Sequence, residues 1–156
     1  MKLNTLIRTC ALALFALAAS CGGTSLNGGS MIGNDISGAD LSGTSMRRMD
    51  LTDANFGGAN LSRANLAGSD LSGADLTAAN LTRTNFVGAC LHNAIMTDVT
   101  LQKTNFSKAD MDGANLAGID LRGNDLERCY LPGRDLGKRT RAGFLCGQSL
   151  VRLGSK

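Results

Sequence analysis

From Ile36 to Leu136 every fifth residue is Ile, Leu, Met or Phe, 21 consecutive positions without a break. Leu26 and Met31 keep the same phase upstream. The residue two before each hit is usually small and is Ala at ten of the 21 positions. The residue directly before is Asp or Asn at 16, and the residue two after is Gly at ten. A period of five excludes the ordinary elements. On an α-helix of about 3.6 residues per turn, a step of five rotates roughly 140°, so the leucines would spiral over every side and form no stripe. On one continuous strand an odd step would send successive leucines to opposite faces. What remains is a short extended segment followed by a corner, repeated many times.

Within each segment the small residue and the large apolar one lie two apart and share a face. Both point inward, and the Asp or Asn between them points out or braces the corner. Glycine relieves the backbone at the corner itself. The chain is therefore expected to coil into a parallel β-solenoid. Composition agrees: 20 glycines, no tryptophan and one tyrosine suit an interior too narrow for many rings.

The units Ala59-Asn60-Leu61, Ala64-Asn65-Leu66, Ala74-Asp75-Leu76 and Ala114-Asn115-Leu116 resemble the A-(D/N)-L-x-x motif of the pentapeptide-repeat family. The resemblance covers residues 34–137. It implies an all-β fold, a right-handed quadrilateral parallel β-helix with four pentapeptides per coil and about five coils. It also implies a non-enzymatic structural or protein-interaction role. Some members of that family imitate duplex DNA and bind a topoisomerase such as DNA gyrase, an alternative that a cytoplasmic, strongly acidic rod would favour.

Twenty residues per coil set the stacks. Leu41, Leu61, Leu81, Leu101 and Leu121 should form an all-leucine inner ladder, Phe86 should lie against Phe106, and Asn65, Asn85 and Asn105 should align. Arg63, Arg83 and Lys103 form a basic ladder up one corner, read as a solvated edge or an anion-binding strip.

The N-terminus follows other rules. Lys2 and Arg8 precede an uncharged run from Thr9 to Ser20, long enough for an export signal and too short to span a bilayer. Leu17-Ala18-Ala19-Ser20-Cys21 resembles the lipobox of bacterial lipoproteins, which implies cleavage after residue 20 and a lipid on Cys21. Ordinary secretion, with cleavage after Ala18 or Ser20, is the alternative. Gly22, in place of Asp, implies the outer membrane facing the periplasm in a Gram-negative cell. The domain plan is then a signal at 1–20, a lipidated flexible tether at 21–33, the β-helix at 34–137 and a basic cap or tail at 138–156. Loss of residues 1–20 leaves 14 basic and 13 acidic residues, too even a balance for a nucleic-acid partner. The expected partners are the membrane, through the anchor, and an unidentified envelope protein; no cofactor beyond the covalent lipid is expected.

One outward column has chemistry of its own. Cys90 and His92 flank Leu91, with Asp110 and Asp112 one rung above and Asp70 one rung below. These are candidate zinc or copper ligands, or a Cys–His nucleophile pair. The bland reading is that the repeat itself places Asp there on a flat face. No metal site or catalytic residue is assigned. Among the cysteines, Cys129 with Cys146 is the one candidate bridge, which would tie the cap to the last coil.

Overall fold

A computed structural model describes residues 25–131, which form a right-handed quadrilateral parallel β-helix. Every pairing is parallel and joins residue i to residue i+20, from Ser25 with Ser45 to Asp110 with Tyr130. One coil is thus four pentapeptides, and five coils at about 4.8 Å per rung make a rod roughly 25 Å tall. Pairing already includes Ser25 and Ser30. The stretch expected as flexible tether therefore belongs, from residue 25 on, to the first coil. Leu26 and Met31 carried that signal in their phase; the Gly, Ser and Asn around them are corner chemistry, which resembles linker composition.

One pentapeptide illustrates the bonding. The amides of Leu61 and Arg63 donate upward to the carbonyls of Asn80 and Thr82, each at 2.9 Å, and the Asn60 amide donates downward to Ala39, also at 2.9 Å. The Ala64 amide closes the corner on the Leu61 carbonyl at 2.9 Å. The side chain of the Asp or Asn before the leucine braces this corner: Asn60 Oδ1 accepts from the Ser62 amide at 3.2 Å, and Asp75 Oδ1 from Thr77 at 2.8 Å. Asn Nδ2 groups also tie coils together, as from Asn60 to Asp40 at 3.0 Å and from Asn85 to Asn65 at 3.3 Å.

The interior is filled by the repeat's own side chains. Leu61, Leu66, Leu71, Leu76 and Leu81 have no exposed surface, nor do Phe86 and Phe106. The Phe86 and Phe106 rings stack at 5.2 Å with 2° between their planes. Hydroxyls that take the small inward position are satisfied across the coils: Thr84 Oγ1 donates to Leu61 and Thr104 Oγ1 to Leu81, each at 2.7 Å. No buried side-chain polar atom lacks a partner among the described residues.

The leucine ladder departs from expectation at Leu101, which is only half-buried while Leu41, Leu61, Leu81 and Leu121 are buried. Two residues before it stands Val99, and one rung above that Ile119, in the column that lower coils fill with Ala39, Ala59 and Ala79. Branched side chains are too large for a slot sized for alanine, so the wall gives way. Among the described residues, the rung that would join Thr100 to Asp120 is missing, while Asn80 still pairs with Thr100.

Candidate functional site

The Cys90–His92 column lies outward as the 20-residue register places it, with Asp70 paired to Cys90 and Cys90 to Asp110. Its polar atoms diverge. His92 Nε2 meets Asp110 Oδ2 at 2.8 Å, one rung up. Cys90 Sγ lies 3.2 Å from Ser72 Oγ, one rung down, and Ser72 Oγ donates to Asp70 Oδ1 at 2.6 Å. A serine hydroxyl has one hydrogen. Since that hydrogen goes to Asp70, the thiol is the donor to Ser72, giving a relay from Cys90 through Ser72 to Asp70.

The charges follow these contacts. The hydrogen bond that His92 donates to Asp110 raises the His92 pKa above its ordinary value, and the nearby Asp112 and Asp70 add to it. Burial opposes ionisation of Asp110, yet hydrogen bonds from His92 and the Asp112 amide outweigh it and its pKa is lowered. Hydrogen bonds from the Ser72 hydroxyl and amide lower the pKa of Asp70. His92 and Asp110 are thus brought together, Cys90 bonds the other way, and Asp112 contributes its backbone amide to Asp110 at 3.2 Å. Among the described residues no group of three or more His, Cys, Asp or Glu side chains is arranged to hold a metal ion. Cys129 is buried in the small inward column; Cys146, Cys21, the export segment and the basic tail lie outside the described residues. No helix among the described residues is long and apolar enough to cross a membrane.

The corners are the second candidate surface. All 21 corner residues from Gly28 to Arg128 have positive φ, yet ten are not glycine. Six of those ten are Arg or Lys: Arg48, Arg63, Arg83, Lys103, Lys108 and Arg128. Reduced by the 20-residue period, they fall in two adjacent corner columns and in no other. Arg63, Arg83 and Lys103 occupy one; Arg48, Lys108 and Arg128 occupy the next. The sequence reading found the first column and missed the second, because Gly68 and Gly88 interrupt it. Sorting every Lys and Arg by position within the coil would have exposed both. A hollow of about 460 Å³ lies on the first column, lined by Ser42, Ser62, Arg63, Thr82, Arg83 and Gln102 among others. Another of about 390 Å³ lies on the second, lined by Asn27, Gly28, Arg47 and Arg48.

The sequence profile described as pentapeptide repeats matches the chain in eight copies, over residues 35–66, 59–98 and 99–133. Among solved structures, the chain is similar to a pentapeptide repeat protein from the Arabidopsis thaliana thylakoid lumen. The two share 28% identity over 65% of this chain and 70% of that one, with a TM-score of 0.61. It is also similar to full-length QnrB1, a plasmid-mediated fluoroquinolone resistance protein, at 18% identity, 72% and 76% coverage and a TM-score of 0.42. HetL, a pentapeptide repeat protein involved in heterocyst differentiation regulation in the cyanobacterium Nostoc, matches at 27% identity, 85% and 61% coverage and a TM-score of 0.33. No curated protein matches the chain.

Proposed function

The chain belongs to the pentapeptide-repeat family, and we propose that it is exported and held by a lipid on Cys21 as a non-enzymatic interaction module of the bacterial envelope. The observation that carries the non-enzymatic part is the closed interior. The large inward residues from Leu51 to Leu81 are at most 0% exposed, leaving no room for a substrate inside the rod. On the outside, the two nucleophile candidates are already committed to different rungs, Cys90 to Ser72 and His92 to Asp110. A thiolate–imidazole pair needs those two groups within hydrogen-bond reach of each other.

Export and anchoring rest on the sequence of residues 1–23, where a charged start and an apolar run end at Leu17-Ala18-Ala19-Ser20-Cys21. With the first coil beginning at Ser25, four residue steps separate it from Cys21, a reach of at most about 14 Å when fully extended. An acylated Cys21 would hold the base of the rod close to the bilayer. The DNA-mimic alternative is disfavoured by the corner columns, since two adjacent basic edges interrupt an acidic surface. Expression with radiolabelled palmitate tests the proposal. A labelled, membrane-associated product that loses its label in Cys21→Ala supports it, and a soluble, unlabelled cytoplasmic product overturns it.

A further inference from the structure

The described rod carries eight basic and twelve acidic residues, and they are sorted by face. All eight basic residues (Arg47, Arg48, Arg63, Arg83, Lys103, Lys108, Arg122 and Arg128) lie in the two adjacent corner columns or directly before them. Ten of the twelve acidic residues lie elsewhere around the coil; the exceptions, Asp125 and Glu127, sit in the last coil. There Arg122 pairs with Asp120, and Arg128 Nε lies 3.7 Å from Glu127 Oε1. The remaining six cations have no carboxylate oxygen within 4.0 Å among the described residues.

Five of those six sit at corners with φ between 54° and 60° (Arg48, Arg63, Arg83, Lys103 and Lys108). A left-handed backbone costs a non-glycine residue on the order of 1 kcal/mol, which glycine avoids. Eleven corners of the same rod use glycine. The basic side chains are therefore not there for the coil's sake. Asp53, Ala78, Asn93 and Asp98 adopt the same backbone, so what points toward function is the confinement of Arg and Lys to two adjacent columns.

The face between the two columns is flat and uncharged through the middle coils, with Asn65, Ala67, Asn85, Val87, Asn105 and Ser107 partly buried along it. We propose that this face is a membrane-apposed surface, on which the rod lies against anionic lipid headgroups. A plane meets both basic edges of a flat face at once, whereas a linear polyanion follows one edge. The acidic residues on the other faces are repelled by the same lipid surface, so it both attracts and orients the rod. Clustered Lys and Arg near an anionic leaflet each contribute about fivefold in affinity, within a screening length of the surface. The proposal deepens the anchored reading and rests on it for its setting, since an acylated Cys21 would keep the first coil within reach of the bilayer.

The test uses residues 21–156 carrying Cys21→Ala, the chain that the proposed cleavage leaves, so that neither the lipid nor the apolar run from Thr9 to Ser20 plays a part. It is mixed with vesicles of phosphatidylcholine alone or with about 30% phosphatidylglycerol added, which gives the surface a negative potential. Binding is followed by co-sedimentation, and Lys103 and Lys108 by acetylation footprinting. The expected result is stronger binding to the anionic vesicles, weakened by salt, with both lysines protected there and not on neutral vesicles. The triple variant Arg63→Gly, Arg83→Gly, Lys103→Gly should lose about 100-fold of the anionic preference. Glycine suits these corners, so the variant keeps the fold, which circular dichroism and thermal melting check. Equal binding to both vesicle types overturns the proposal, as does a Lys103 and Lys108 pair that stays reactive on bound protein. Protection by heparin without protection by anionic vesicles overturns it in favour of a polymer ligand. None of these outcomes depends on acylation, so failure here leaves the palmitate result standing, and the reverse.

Discussion

The rings of Phe86 and Phe106 stack one coil apart at 5.2 Å, nearly parallel, because the 20-residue register brings the same inward position round again after one turn. Their column also holds Met46 and Leu66 below and Leu126 above, all buried. Replacing Phe106 by Ala opens a cavity in a dry interior and should cost about 3–5 kcal/mol in urea unfolding. Phe106→Leu restores the residue type found elsewhere in the column and should cost less than half as much. A double-mutant cycle between the two rings should return about 0.5–1.5 kcal/mol of coupling. A coupling of zero would mean that the rings act only by filling space.

The corner at residue 78 isolates backbone strain from charge. Ala78 has φ of 57°, where Gly58, one coil below, has 66°. Ala78→Gly should raise stability by about 0.5–1 kcal/mol, and Gly58→Ala should lower it by about as much. A Cβ on Gly58 would meet nothing within 4 Å, so any loss there belongs to the backbone and not to crowding. Equilibrium denaturation of the two single variants decides it; a stabilising Gly58→Ala would contradict the strain account of the corners.

Most of the architecture was legible because each pentapeptide solves the same local problem and repeats its solution. Ala59 and Leu61 mark an inward pair, and Arg63 the corner after it, without reference to distant residues. The Phe86–Phe106 stack needs only the coil length, which the family resemblance supplied. Three features were not legible, each for a physical reason. The first coil at Ser25 was hidden because corner composition looks like a linker. The open rung at Thr100 depends on the size of Val99 and Ile119 within a column, and a hydrophobic pattern does not weigh size. The divergence of Cys90 from His92 is a matter of side-chain direction, which neighbours one rung away decide: Ser72 draws the thiol down and Asp110 draws the imidazole up.

Val99 offers a core substitution with an unusual expected sign. Val→Ala in a packed interior ordinarily destabilises through a cavity. Here Ala59 and Ala79 already fill the same column without exposure, and the wall is open where Val99 stands. The double variant Val99→Ala, Ile119→Ala should close the rung between Thr100 and Asp120. The measurement is hydrogen exchange: the Leu101 amide should gain protection approaching that of Leu81, whose amide donates to Thr100 at 2.9 Å. Unchanged exchange at Leu101 would show that another residue holds the wall apart.

His92 and Asp110 give the rod a pH-sensitive contact. The hydrogen bond to Asp110 raises the His92 pKa, so NMR titration should place it above 6.5, and Asp110→Asn should lower it. Because the folded value is raised, the stabilisation from His92 is fully present below the unfolded pKa near 6.5 and is lost as pH rises through the folded value. Asp110 has the opposite sign: its pKa is lowered, so its contribution is present above about 3.8 and disappears as pH falls through the folded value. The pair therefore contributes most in the window between the two. Both side chains are nearly half exposed, at 45% and 48%, so solvent screens the contact to less than about 1 kcal/mol. In thermal melts across pH, wild type should gain on His92→Gln between about pH 4.5 and 6.5 and converge with it at higher pH. A gain that persisted unchanged into the alkaline range would assign His92 a packing role, independent of its charge.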